Sequence, residues 1–269
     1  MTQARISLYI IAKDENKVIK RCIDSFRGSF DELVVVVDDR TTDNTNALVC
    51  SEGALVYHYH WIDDFAAMRN YAMDRCTGSW VMWADADDVL EEGGAEKIRQ
   101  AVDAAETLGN NAISASYFIK YRADDMPDGD NRMVRLSKAG SFRWRCMIHE
   151  YQDYKPAPSV LTSNIKVYHR KIIEPGQPTN TDRNLRMLEI ALQKGDKSDM
   201  PRYKFYYARE LMFKGRHREA IAAFMDYIAG PPDWSVQLHR AAMHLGECHG
   251  ELNEFVQAKR SFLMAIGFD

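Results

Sequence analysis

The stretch Trp80-Val81-Met82-Trp83-Ala84-Asp85-Ala86-Asp87-Asp88 is where this chain could most readily do chemistry. Its apolar run reads as a buried strand that delivers Asp85 and Asp87, two residues apart, into a short loop. Hard oxygen ligands at that spacing suit Mg2+ or Mn2+. Such an ion would bridge a diphosphate and stabilise its negative charge as it departs. The plainer alternative is an acidic turn that caps a helix over residues 89–102, because a D-x-D pair alone is common. Its position after an apolar strand, fourth in an alternating series, favours the metal reading. A second run, Val34-Val35-Val36-Val37-Asp38-Asp39, ends a β-branched strand in two carboxylates. Either one could accept the base N–H of a uridine or the ribose hydroxyls. Thr42, Asp43 and Thr45 just beyond read as turn and cap residues.

These carboxylates need a frame. Residues 6–11, 33–37, 55–60 and 80–83 read as strands, and residues 17–26, 41–49 and 64–76 as the helices between them. In the first of those helices Val18, Ile19, Cys22, Ile23 and Phe26 form one stripe, and Thr42 or Asp43 could cap the second. The β-α-β-α-β-α-β order predicts a parallel sheet covered on both faces, the α/β class, with ligands beyond the carboxyl ends of the strands. Asp14, Asp38, Asp39, Asp85 and Asp87 all fall at or just past such ends. Residues 112–170 read as further strands with loops, and the acidic run 124–130 as a solvated loop that lacks calcium-loop spacing.

A breaker, Glu174-Pro175-Gly176-Gln177-Pro178, separates a second half built of helices, the first over residues 183–192. Ala208, Gly215, Ala220 and Phe224 are each followed 38 residues later by Gly246, Asn253, Ala258 and Phe262. Small residues would let paired helices approach and the two phenylalanines would fill the space between pairs. This looks like the tetratricopeptide repeat, with the Gly230-Pro231-Pro232-Asp233 turn holding the residues in excess of the usual period. The domains are therefore expected as 1–175 and 176–269. A helical bundle with coincident Ala and Phe is the alternative. The repeats could pack on the first domain or on a second copy, which makes a homo-oligomer a candidate state.

Taken together, Ile6-Ser7-Leu8-Tyr9-Ile10-Ile11-Ala12-Lys13-Asp14-Glu15-Asn16, Val37-Asp38-Asp39-Arg40-Thr41-Thr42-Asp43-Asn44-Thr45, Asp64-Phe65-Ala66-Ala67-Met68-Arg69-Asn70 and the Asp85 cluster resemble the inverting family-2 glycosyltransferases with the GT-A fold. The match covers about the first 90 residues in order. It is similar in particular to the branch with tetratricopeptide repeats behind the catalytic domain, some members of which glycosylate peptides or proteins. The resemblance implies that Ala12, Asp14 or Glu15, Asp39 and Arg69 line a nucleotide pocket, and Asp38, presented to the same crevice, is counted with the nucleotide-sugar-binding residues. It also implies that Asp85 faces ribose and diphosphate and that Asp87 ligates the metal. Arg40 stands where the family often has a small residue, and Asp14 where Asn is frequent. A run like Ile148-His149-Glu150 follows the acidic motif in this branch. Glu150 is then the expected base that deprotonates the acceptor, and His149 the residue that completes a Mn2+ or Mg2+ site, with His169 as its competitor. An ordinary strand-end His-Glu pair is the alternative.

The expected activity is transfer of a hexose from a UDP-sugar, of the UDP-glucose type, to a peptide, a protein or another hydroxyl acceptor. Two other readings stay open: a modified DNA base as acceptor, and an inactive repeat-bearing adaptor. The formal charge of −4 argues against nucleic-acid binding by the whole surface, although Arg132, Arg135, Lys138, Arg143 and Arg145 could line a basic groove. Five widely spaced cysteines without a CxxC pair fit reduced thiols in a cytoplasmic protein. No apolar run approaches the ~20 residues that span a bilayer. His58 and His60 read as rim residues, and His239, His244 and His249, five apart on helices, as packing residues.

Overall fold

The computed structural model of the chain describes residues 5–119, 131–170, 172, 180–230 and 235–268. The acidic loop 124–130, the breaker 174–178 and residues 231–234 of the second Pro-Gly turn lie outside the described residues. The chain divides into two compact units, Met1–Arg145 with Glu150–Pro175, and Cys146–His149 with Gly176–Asp269.

The first unit runs β1 (Ile6–Ala12), α1 (Ile19–Phe26), β2 (Glu32–Asp38), α2 (Thr45–Ser51), β3 (Leu55–Tyr59), α3 (Phe65–Met73), β4 (Trp80–Asp85), β5 (Asp88–Leu90), α4 (Gly94–Leu108), β6 (Ala112–Ile119), β7 (Asn131–Lys138), β8 (Phe142–Arg145), β9 (Tyr151–Tyr154) and β10 (Val160–His169). Eight strands form one sheet in the order β3-β2-β1-β4-β7-β6-β10-β5, and β8 and β9 form a separate hairpin. The first four strands are parallel, as their helical crossovers require. Beyond them the sheet is mixed: β7 runs antiparallel to both β4 and β6, and β5 is antiparallel to β10. The alternative of a helix over residues 89–102 is corrected: Asp88–Leu90 extends as β5, and α4 starts only at Gly94 after a left-handed Gly93.

Strand alternation sorts the core into two layers. Ile6, Leu8 and Ile10 of β1, Val35 and Val37 of β2, and Trp80 and Met82 of β4 pack with Ile19, Cys22, Ile23 and Phe26 of α1 and Ile98 and Val102 of α4. Tyr9, Val34, Val36, Val81 and Trp83 face the other way, onto α3 and the β8–β9 hairpin through Met68, Ala72, Phe142 and Trp144. Both faces are buried, so β2 reads as unbroken valine rather than as alternation. Gly78 precedes β4 at a point where a Cβ would come within 2.8 Å of the Arg5 carbonyl oxygen and the Ser7 nitrogen. Only glycine fits that approach of backbone to backbone.

The second unit holds α5 (Asn180–Lys194), α6 (Met200–Phe213), α7 (His217–Ile228), α8 (Ser235–Glu251) and α9 (Phe255–Ile266). α6 pairs with α7, and α8 with α9. The 38-residue offset is a structural period. Gly215 and Asn253 both adopt positive φ, +72° and +59°. Each turn is closed alike: Gly215 N donates to Met212 O and Asn253 N to Gly250 O, both at 2.9 Å. The next residues, Arg216 (φ −81°, ψ 56°) and Glu254 (φ −90°, ψ 61°), open the following helix in the same conformation. A Cβ on Gly246 would overlap the Phe262 ring, so the small residue lets α9 close on α8.

Candidate functional site

Loops at the carboxyl ends of β1, β2 and β4 bring the predicted carboxylates together. Ala12 ends β1 and is buried. Asp14 takes a left-handed φ of +55°, which Asp tolerates better than most residues. Its Oδ1 accepts from Thr42 N at 2.7 Å and Thr42 Oγ1 at 3.2 Å, and Oδ2 pairs with Lys13. Burial opposes its charge, but Lys13 and the Thr42 amide hold its carboxyl below the usual range. Glu15 N donates to Thr45 Oγ1 at 2.8 Å, and Asn16 N to Asp43 Oδ2 at 3.0 Å. These bonds lash the β1–α1 loop to the β2–α2 loop. Asp43 also accepts from Thr45 N at 2.8 Å, so it organises the start of α2 without being its N-cap, which is Asn44.

Asp38 is 2% exposed and is closed off by Arg40, whose Nε and Nη2 donate to it at 3.0 and 2.6 Å. Asp39 is open to solvent and sits 3.0 Å from His60 Nδ1. Arg40 thus occupies Asp38 and leaves Asp39 as the carboxylate that a ligand can reach.

The acidic cluster at the end of β4 is more highly organised. Arg69 of α3 is 7% exposed, with its guanidinium between the rings of Trp83 and Trp144 at 5.0 and 5.1 Å. Its Nη2 donates to Asp85 Oδ1 at 2.8 Å and its Nε to Glu150 Oε1 at 2.7 Å. Burial opposes its charge, but Asp85 and Glu150 more than offset this and hold it cationic. Asp85 in turn is held below the usual carboxylate range, because Arg69 and Arg135 overcome its burial. Asn70 fixes the hairpin that carries Glu150: its side chain donates to Trp144 O and accepts from Trp144 N, both at 2.9 Å.

Asp88 is fully buried. Its Oδ2 accepts from Arg135 Nη1 at 2.9 Å and from Asp85 N at 3.0 Å. Arg135 lies over Trp83 and Tyr117 at 3.7 and 4.3 Å. His169, placed opposite Asp88 by the β10–β5 register, has its Nδ1 3.2 Å from Asp88 Oδ1 and 3.1 Å from Asp87 Oδ1. Burial works against an imidazolium, but the two carboxylates raise its pKa to about 10.

Among the described residues, Asp85, Asp88 and His169 form a group whose ligand atoms all lie within 4.8 Å of one another. Carboxylate oxygens with one imidazole suit Mn2+ or Mg2+, and an ion there would displace the imidazolium proton. Asp87 stands outside that group, although its Oδ1 lies 3.1 Å from His169 Nδ1.

His149 was expected to complete the metal site with Asp87. It belongs to the helical unit, where its ring stacks on Tyr206 at 3.9 Å and its Nε2 lies 3.6 Å from Glu210 Oε1. Its neighbour Glu150 belongs to the sheet unit. The expected basic groove is not assembled as free charge: Arg135 pairs with Asp88, Lys138 with Glu106, Arg143 with Asp74 and Arg145 with Asp153. His58 is exposed on β3, while His239, His244 and His249 bond to Ala265 O, Glu247 and Glu254. The structural weight of Arg135 and of the Trp83–Trp144 pair had no local signal in the sequence. It depends on β7 lying beside β4 and on β8 lying over α3.

A family model described as Glycosyl transferase family 2 matches residues 7–174. The SPbeta prophage-derived glycosyltransferase SunS of Bacillus subtilis is 27% identical over 221 residues, covering 80% of this chain and 51% of that protein. A TPR repeat-containing protein of Synechococcus elongatus is 37% identical over 105 residues, 39% of this chain and 26% of that one. The chain spans about half the length or less of these relatives. Among solved structures, S. aureus TarS matches with a TM-score of 0.52 at 13% identity, covering 96% of this chain and 55% of that chain. Its 1-349 segment in complex with UDP-GlcNAc matches with a TM-score of 0.51 at 12% identity, covering 97% and 90%. At those identities the likeness shows a common fold, the GT-A α/β fold followed by helices.

Proposed function

The chain belongs to glycosyl transferase family 2, and from that premise we propose that it is a metal-dependent, inverting glycosyltransferase. It moves a hexose from a UDP-sugar to a hydroxyl of a peptide, a protein or another acceptor. The observation that carries this reading is the Arg69 bridge. One guanidinium links Asp85, at the donor end of β4, to Glu150, a carboxylate suited to be the base.

Asp14, Glu15 and Asp39 border the nucleotide, with Asp39 the open acceptor for base or ribose. Asp85, Asp87 and His169 would hold Mn2+ or Mg2+, which when bound neutralises charge on the departing diphosphate. Glu150 takes the proton of the attacking hydroxyl as the new glycosidic bond forms at the anomeric carbon and the bond to the diphosphate breaks. Trp83 and Trp144 screen Arg69 from water, which strengthens its hold on both carboxylates. The TarS neighbour, in complex with UDP-GlcNAc, supports a UDP-linked donor. The helical repeats are tetratricopeptide-like and hold the polypeptide acceptor.

UDP release from UDP-glucose with Mn2+, and water as acceptor, tests the assignment. Glu150→Gln should lower turnover by about 10²–10⁴-fold, the usual worth of a general base. Asp87→Ala should abolish the Mn2+ dependence. Release unchanged by Asp87→Ala would sink the metal site, and no release with any nucleotide sugar would favour the inactive adaptor.

A further inference from the structure

The helical unit contains a basic groove that no step of the transfer reaction uses. It is a cavity of about 380 Å³ lined by Phe205, Arg209, His239, Arg240, Met243 and His244. All six residues come from α6 and α8, the first helices of the two successive hairpins. The groove therefore lies where equivalent faces of the two repeats meet.

Its charge is unbalanced. Arg240 is exposed and has no ion-pair partner among the described residues. Arg209 is three-quarters buried, packs over Tyr206 at 4.4 Å, and its Nε finds no hydrogen-bond acceptor. Burial depresses its pKa; Tyr206 and Glu210 partly oppose this, and repulsion from Arg202 and Arg240 adds to it. The nearest carboxylate, Glu210, is 3.9 Å from Arg209 Nη2 and only 3% exposed, so it faces inward. Glu247 is taken up by His244 at 2.9 Å. Two guanidiniums thus border a space walled by Phe205 and Met243, with no accessible carboxylate to answer them among the described residues. An incoming anion would relieve the repulsion and give Arg209 the missing acceptor. The apolar walls favour an anion carried on a chain over a free ion.

We propose that the groove between α6 and α8 docks an acidic polypeptide segment, with Arg209 and Arg240 pairing to its carboxylates and Phe205 and Met243 receiving the apolar residues between them. The inference rests on the reading of the helical unit as the part that holds a polypeptide acceptor. It names the chemistry of that polypeptide as acidic.

The test is fluorescence anisotropy with the whole chain and a labelled peptide of about eight residues alternating Glu and Leu, against its Gln-Leu counterpart. The Glu peptide should bind at least tenfold more tightly than the Gln peptide, with affinity falling as salt rises. Arg240→Gln, at an exposed residue with no ion-pair partner among the described residues, should weaken binding several-fold, and Arg209→Gln roughly tenfold, the scale of one charge-assisted hydrogen bond. Thermal melts check that both variants fold. Equal binding of the two peptides, or undiminished binding by folded Arg240→Gln, overturns the proposal. So does displacement by inorganic phosphate at concentrations as low as the peptide's own, which would mark a simple anion site. UDP release from UDP-glucose, measured on the same samples, should be unchanged by either variant with water as acceptor. Failure of the parent chain to bind the Glu peptide, with intact release, refutes the docking site alone, whereas absent release with intact binding refutes the transferase reading alone.

Discussion

Replacing Arg135 by Met removes the cation that compensates Asp88 while keeping an unbranched stem against Trp83 and Tyr117. The pair it breaks is deeply buried, with side-chain exposures of 3% and 0% and a separation of 2.9 Å. At an effective dielectric of about 20 the lost attraction is about 6 kcal/mol. Part of this is offset, because Asp88 keeps the Asp85 amide at 3.0 Å and His169 at 3.2 Å. Breaking one side of a buried pair generally costs about 3–5 kcal/mol, and these remaining partners place the expected loss at the lower end. The stacking of the guanidinium on two rings, worth about 0.5–2 kcal/mol, goes as well. A loss of about 3 kcal/mol corresponds to a fall of about 6–12 °C in the melting temperature of a unit this size. Differential scanning calorimetry would resolve it, with the sheet unit melting earlier and the helical unit unchanged. The double variant Arg135→Met/Asp88→Asn should recover part of the loss, because the buried negative charge goes with its partner. A single variant that melts within about 2 °C of the parent would show that Asp88 does not depend on Arg135.

Mn2+ should raise the melting temperature of the parent and of His149→Ala, but not of Asp87→Ala or His169→Ala. A shift lost in His149→Ala and kept in His169→Ala would return the metal to the first expectation. Glu32 is 5% exposed at its side chain and accepts from Ser7 and from Thr77 N and Oγ1; burial opposes its charge, yet these bonds hold its carboxyl below the usual range. Its stabilisation is therefore complete above about pH 4.5 and is lost as pH falls through the lowered folded pKa, so urea midpoints of Glu32→Gln should fall less steeply with acid than those of the parent. Parallel curves would remove Glu32 from the account. Gly246→Ala should cost about 1–3 kcal/mol by forcing the Phe262 ring off α8, read as an earlier melt of the helical unit, and an unchanged melt would show that α9 is not held there.

The parallel half of the sheet was legible because each strand there is a short apolar run ended by a carboxylate, and each helix carries one stripe. Ile19, Cys22, Ile23 and Phe26 lie on the core side as their spacing required. The order of the remaining strands was not legible. β7 inserts between β4 and β6, and nothing local in residues 131–138 says which strand they join. His169 shows the consequence. It is as plain a histidine in sequence as His149, and only pairing between β10 and a three-residue β5 sets it beside Asp88. Asp38 teaches the same lesson at shorter range. Two adjacent acids read alike, but Arg40 folds back on the first and leaves the second open.

The paired left-handed turns at Gly215 and Asn253 make the helical unit a reading frame. Excising the 38 residues from Arg216 through Asn253 would join Gly215 directly to Glu254, whose backbone angles already match those of Arg216. α9 would then meet α6 in the place of α7, with Ala258 and Phe262 standing where Ala220 and Phe224 stood. A cut of any other length rotates the incoming helix by about 100° per residue of error and turns its apolar face outward. Recombination within the gene is thus tolerated only in whole modules, and the length of the helical array can drift in evolution by steps of one hairpin while the sheet unit stays constant.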